Sequence, residues 1–336
     1  MSLYPRLGKF DRVTRRQLLQ WGLTGLGVSG AAIAYSQMTQ TQTRSVPIPP
    51  LRESDPMTMN AAFNPMQILR EFDYGTIKRE NGRIVREFHL EAGTSVLQLN
   101  KAVTFNSWNV NQRVPGPTLR ATQGDRVRII FTNKGGHAHS LHFHGIHRPE
   151  MDGIKPVRHN SAFVYEFDAE TYGIHVYHCH IAPVTRHISK GLYGMFIIDP
   201  PKPRPPADEM VLVMGGYDTN DDNKNELYAF NGLPNYYMMN PIRIYQNQLI
   251  RLYVLNMIEY DSPATFHIHG NFFKVYRTGM SLSPAEETDV ITMGVAERHI
   301  LEFSYKYPGK YMFHPHQDAI AEAGCMGAFD VVSKSA

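Results

Sequence analysis

Cysteine is scarce in this chain: 336 residues contain only Cys179 and Cys325. If Cys179 is a metal ligand, no intrachain disulfide can form, and a large hydrophobic core must hold the fold by itself. An excess of one charge is also missing. The formal net charge of +3 arises within residues 1–34, where Arg6, Lys9, Arg12, Arg15 and Arg16 oppose Asp11. Those are five of the 34 basic and one of the 31 acidic side chains, which leaves 29 against 30. Nothing in that balance points to a nucleic-acid partner. The apolar stretch from Trp21 to Ala34 is too short and too rich in glycine to read as a membrane span. A hydrophobic content of 42% against 19% charged residues excludes a disordered chain.

The N-terminus reads as an address, not as structure. Arg15-Arg16 precede the apolar stretch, and Ala32-Ile33-Ala34 offers a small-x-small cleavage site before Tyr35. The arrangement resembles twin-arginine export signals, which carry folded and often cofactor-loaded proteins across the inner membrane. It implies a periplasmic or extracytoplasmic location. An uncleaved leader acting as an anchor, or an ordinary first helix, is the alternative.

Histidine is what the chain has instead. His142-Phe143-His144, His178-Cys179-His180, His267-Ile268-His269 and His314-Pro315-His316 supply eight of its 16 imidazoles. In a strand, residues i and i+2 point to one face, so each His-x-His pair delivers two nitrogen donors to one place. Four such pairs can enclose several metal ions. The thiol of Cys179 inside one pair favours copper over zinc.

The chain also repeats itself. Glu166-Phe167 leads through Gly173 and Tyr177 to His178, and Glu302-Phe303 leads through Gly309 and Phe313 to His314. Both runs span 11 residues from Phe to His. Arg126–Phe131 and Ile250–Leu255 are matching β-branched and aromatic strands. Asn81-Gly82, between Thr76–Glu80 and Arg83–Phe88, predicts a hairpin turn. Many short strands with Gly and Pro punctuation predict an all-β protein with one β-sandwich per half. Residues 84–200 and 207–333 are assigned to the two sandwiches, joined by the stiff linker Pro200–Pro206. Residues 35–83 are read as an N-terminal extension lying over the surface.

The halves differ in ways that assign metals. His139, Cys179 and His187 form a His₂Cys set, the ligand composition of a mononuclear blue-copper site. The second half has Ala264 and Pro315 in place of His139 and Cys179, and a shorter loop that removes any counterpart of His187. At these residues the chain resembles the two-domain multicopper oxidases, laccase-like proteins whose cupredoxin domains share a trinuclear copper cluster. His139-Ser-Leu-His142-Phe-His144-Gly145, Tyr177-His178-Cys179-His180-Ile181, Phe266-His267-Ile268-His269-Gly270 and Pro308–His316 carry the likeness.

That resemblance implies two cupredoxin-like Greek-key β-sandwich domains and about four coppers per chain. It places type 1 copper at His139, Cys179 and His187. It places type 2 copper at His142 and His267, and the type 3 pair at His144, His178, His180, His269, His314 and His316. It implies oxidation of a reducing substrate coupled to reduction of dioxygen to water. It further implies a homotrimer with clusters between neighbouring chains.

Two features depart from the family pattern or extend it. Leu192 follows Gly191 where the family has its axial methionine, so the axial position is expected to be non-coordinating, with Met195 as the alternative ligand. Asp152 matches a functional carboxylate of the family, while Asp318 and Glu322 are weaker proton-donor candidates; each has a turn cap or ion pair as its plainer role. His137, His147, His159, His175 and His299 lie off the pattern, and Cys325 reads as a buried small hydrophobe. Copper nitrite reductase is the rival family. It has an aspartate where this chain has His142 and a small residue where it has His180. A non-enzymatic copper-binding or electron-transfer protein is the second alternative. The loop Ile181–Lys190 contains no carboxylate. That favours a small organic or protein electron donor over a metal ion, whose binding wants oxygen ligands.

Overall fold

The computed structural model describes residues 64–333 apart from residue 262. The twin-arginine segment and the first part of the extension lie outside the described residues. In the first half, β1 (Thr76–Glu80), β2 (Arg83–Gln98), β3 (Thr104–Val110), β4 (Leu119–Thr122) and β5 (Arg126–Asn133) come first. They are followed by β6 (His142–Phe143), β7 (Ser161–Asp168), β8 (Gly173–His178) and β9 (Tyr193–Asp199). One sheet has the order β1-β2-β5-β7 with β3 on β2, and the facing sheet has the order β4-β9-β8-β6.

The second half repeats this plan with β10 (Asp208–Tyr217), β11 (Leu227–Phe230), β12 (Ile242–Tyr245), β13 (Ile250–Met257), β14 (Ala264–Ile268) and β15 (Phe273–Arg277). It ends with β16 (Glu286–Thr288), β17 (Val290–Met293), β18 (Arg298–Phe303), β19 (Gly309–His314) and β20 (Gly327–Val332). Its sheets run β11-β10-β13-β18-β15-β16 and β12-β20-β19-β14-β17. The parallel pairs correspond: β2 with β5 and β4 with β9, then β10 with β13 and β12 with β20. Each half is therefore a two-sheet sandwich built on a common order of eight strands, to which the first half adds β1 and the second β15, β16 and β17.

Burial explains the strand sequences. On β13, Ile250, Leu252 and Val254 enter the core of the second half, while Tyr253, Leu255 and Met257 enter a layer shared with the first half. A strand covered on both faces reads as a nearly continuous apolar run. β9 does the same from the other side. Phe196 and Ile198 join the first core, whereas Tyr193, Met195 and Ile197 enter the shared layer. Each such buried side chain contributes on the order of 1.5–3 kcal/mol. The Pro200–Pro206 segment thus joins halves that share a core, not two independent modules.

The hairpin at Asn81-Gly82 forms, with Glu80 opposite Arg83 and positive φ at both turn residues. The rest of the described extension lies only partly over the surface. Residues 64–75 bridge the two halves, with Ile68 and Leu69 buried while Gln67, Arg70, Glu71 and Tyr74 stay exposed. Asn64 caps the short helix α1 (Pro65–Ile68), and Ile68 and Leu69 are buried in the core of the second half. Tyr237 Oη donates to Pro65 O at 2.6 Å. Four residues after Leu69, Asp73 pairs with the first half through its N–H to Thr118 O and the Arg120 N–H to its own carbonyl. The apolar Ile68-Leu69 pair drives this: left on the surface, it would stay in water.

Candidate metal centre

Three buried side chains converge at one end of the first sandwich. His139 precedes the short β6, Cys179 follows β8, and His187 stands on α2 (Val184–Ser189). His139 Nδ1 lies 3.2 Å from His187 Nδ1, and Cys179 Sγ lies 3.1 Å from His187 Nδ1 and 3.9 Å from His139 Nδ1. Metal bonds of about 2.0 Å to nitrogen and 2.3 Å to sulfur place trigonal donors roughly 3.5–4 Å apart. The 3.9 Å separation lies in that range and the other two fall a few tenths of an ångström short of it, so a small outward shift of His187 lets the three atoms take one ion. Burial pushes both imidazoles down to about 4, so they stand neutral, with lone pairs to give, at neutral pH. Burial also pushes the Cys179 thiol up, against the pull of the N–H groups of Ile181, Ser140 and His180. A thiolate there needs a cation beside it. Gly135 allows the approach of His139, since a Cβ on it would lie 2.7 Å from His139 Nε2.

Leu192 packs in the same buried cluster as Cys179, and its carbonyl accepts the Cys179 N–H at 2.9 Å. Met195, within β9, lies in the layer shared with the second half.

The His-x-His pairs form two matching sets. His142 stands opposite His178 in the β6–β8 register, and His267 opposite His314 in β14–β19. His144 Nε2 faces His178 Nε2 at 2.9 Å, and His269 Nε2 faces His314 Nε2 at 3.0 Å. His178 Nδ1 donates to Cys179 O, and His314 Nδ1 donates to Pro315 O. With that proton committed, Nε2 of each ring is left as a lone pair aimed into the set. His180 stacks on His142 at 4.9 Å, and its buried Nδ1 has no hydrogen-bond partner. Burial holds His144 at about 3 and His178 at about 4. These are ligand-ready donors, and the rings fit a copper cluster.

Consecutive residues divide between the two sites. Cys179 Sγ meets His187, while His178 Nε2 meets His144 on the other side of the same segment. Among the described residues, no ring contact or candidate ligand group joins the first set of four to the second. His269 and His316 are exposed, so the second set opens to solvent.

The carboxylates separate clearly. Asp152 Oδ1 lies 2.9 Å from His142 Nδ1 and 3.4 Å from His147 Nε2, directly behind a cluster histidine. Asp318 and Glu322 are exposed on the five-residue helix at residues 318–322, and neither has an ion pair with a cluster histidine among the described residues. Asp289 holds the matching place in the second half: its carbonyl accepts from His267 Nδ1 at 2.7 Å. Sequence reasoning missed Asp289, which stands outside every motif. It also missed Trp108, whose ring meets His187 edge-on at 4.9 Å and His137 at 4.5 Å. His147 and His137, which lie off the sequence pattern, both stand beside the metal sets.

Comparison with known proteins agrees with this geometry. A multicopper oxidase family profile matches residues 92–203, and a second matches residues 203–335. A crystal structure described as a multicopper oxidase superposes with a TM-score of 0.80 at 46% identity, covering 81% of this chain and 98% of that one. Copper-containing nitrite reductase of Neisseria gonorrhoeae is 26% identical over 255 residues, a match spanning 68% of this chain and 63% of that protein. Copper nitrite reductase of Nitrosomonas europaea shares the fold, with a TM-score of 0.70 at 23% identity over 74% of this chain and 94% of that one.

Proposed function

Because this chain belongs to the multicopper oxidase family, we propose that it couples one-electron oxidation of a reducing substrate to the four-electron reduction of dioxygen to water. The observation that carries this reading is the paired set of eight histidines linked to one thiol, with His178 and His180 flanking Cys179. His139, Cys179 and His187 would hold the type 1 copper; His142 and His267 the type 2 copper; and His144, His178, His180, His269, His314 and His316 the type 3 pair. Copper bound there supplies the one-electron redox chemistry and the site for dioxygen. The chain supplies the rest. Cys179 joins the donor-side set to the cluster-side set through a single peptide segment. Asp152 holds the Nδ1 proton of His142 and keeps a carboxylate beside the place where protons are consumed.

Nitrite reduction is the second reading, favoured by the likeness to the Neisseria protein. His142 and His180 weigh against it, since they add two donors that a mononuclear catalytic site does not need. Copper content and turnover decide between them. We expect about four coppers per chain, a blue chromophore, and oxygen uptake with a phenolic donor. Saturation at two coppers with nitrite turnover would overturn the oxidase reading.

The separation of the two histidine sets within one chain supports a homotrimer, in which the first set of one protomer meets the second set of its neighbour. The twin-arginine segment supports export to the periplasm. Fractionation of cells making the chain with Arg15 and Arg16 replaced by Lys should leave it in the cytoplasm.

A further inference from the structure

We infer that the cleft over His187 selects anionic aromatic donors, through the Trp108 ring and the Arg186 guanidinium. The inference rests on the oxidase reading and names the substrate class of its donor side. The cleft has a volume of about 450 Å³ and is lined by Trp108, His137, Ile181, Pro183, Arg186 and His187 among others. That size suits one small planar molecule. Its lining holds no carboxylate, so no anionic side chain there would attract a metal cation or an ammonium group. Trp108 offers a ring already in edge contact with His187, which is only 4% exposed. Arg186 stands over that ring, 6.0 Å from its centroid. Asp221 approaches from the second half, but Lys190 engages it at 2.8 Å against 3.5 Å for Arg186. Asp221 sits on a loop with Asp218 and Asp222 outside the cleft, whose own lining carries Arg186 and no Asp or Glu. A ring bearing a carboxylate or sulfonate can stack on Trp108 and put its anion against Arg186.

The test uses the copper-loaded full chain and two non-phenolic probes with one ring and opposite charge: 3,5-dimethoxybenzoate and 3,5-dimethoxybenzylammonium. Calorimetric titration should show the benzoate binding about tenfold tighter or more, with the gap shrinking at high salt. Arg186→Glu should reverse the order, and Trp108→Leu should weaken both probes. With oxidisable counterparts, syringate and 4-hydroxy-3,5-dimethoxybenzylamine, the ratio of kcat/KM should fall about tenfold or more in Arg186→Glu. Equal affinities, an order unchanged in Arg186→Glu, or affinities unmoved in Trp108→Leu would each overturn the inference. Benzoate binding without oxygen uptake from any donor would instead overturn the oxidase reading alone.

Discussion

Leu192, just before β9, and Met195, within it, stand three residues apart and enter different buried clusters. Leu192 lies in the buried cluster with Cys179, and Met195 in the layer between the halves. A leucine side chain offers no lone pair, so a copper held by His139, Cys179 and His187 would have three protein ligands. Leu192→Met should add a weak donor and lower the reduction potential by on the order of 60 mV, tenfold in a one-electron equilibrium. Redox titration of the blue absorption measures it; an unchanged potential would remove Leu192 from the axial position. Cys179→Ser should abolish that absorption and donor oxidation while cluster copper stays bound. Metal analysis beside the visible spectrum checks both halves of the statement. Asp152→Asn keeps an acceptor near His142 Nδ1 but removes the charge. Oxygen turnover should fall about 10–100-fold, with the blue site intact.

Between α2 and β9 a single glycine sets the geometry of the donor side. Gly191 has φ +113°, and a Cβ on it would lie 2.5 Å from Val114 Cγ2 and 3.0 Å from Trp108 O. The turn also carries the hydrogen bond from Leu192 N–H to His187 O and the one from Trp108 N–H to Lys190 O. Gly191→Ala must therefore move His187, Leu192 and Trp108 together. A loss of about 1–3 kcal/mol is expected, read as a lower melting temperature with a weakened blue band. A variant that melts as the parent does and keeps its spectrum would show that the turn can relax.

The two halves are welded at a second place, away from the histidines. Arg120, with 9% of its side chain exposed, hydrogen-bonds Asp199 at 2.8 and 2.9 Å and Glu209 at 2.7 Å. Arg251 adds bonds to Glu209 and to Glu302. Arg120→Met removes the cation and leaves two half-buried carboxylates facing each other, at a cost on the order of 3 kcal/mol. The urea midpoint should fall accordingly. Assembly is tested by mixing two inactive variants, His178→Ala/His180→Ala and His314→Ala/His316→Ala, then dissociating and reassembling them. Clusters between chains would restore part of the oxygen turnover. Clusters within one chain never could, and a fully active monomer in light scattering would also refute the trimer.

The candidate ligands could be picked out in the sequence because their grouping is local. Strand alternation aims both members of each His-x-His pair, and peptide adjacency ties His178 and His180 to Cys179. The repeat was legible for the same reason: equal spacings within each half go with a common order of eight strands. Long-range packing decided everything else. Whether Leu192 or Met195 packs in the cluster with Cys179 depends on what covers each face of that segment. Trp108 reaches His187 only through sheet and turn contacts that bring distant segments together, and Asp289 reaches His267 across two strands. Residues 64–75 bridge the two halves because Ile68 and Leu69 find a core there, which no pattern within the segment announces. The separation of the two histidine sets is likewise a property of how two sandwiches pack, not of either sandwich alone.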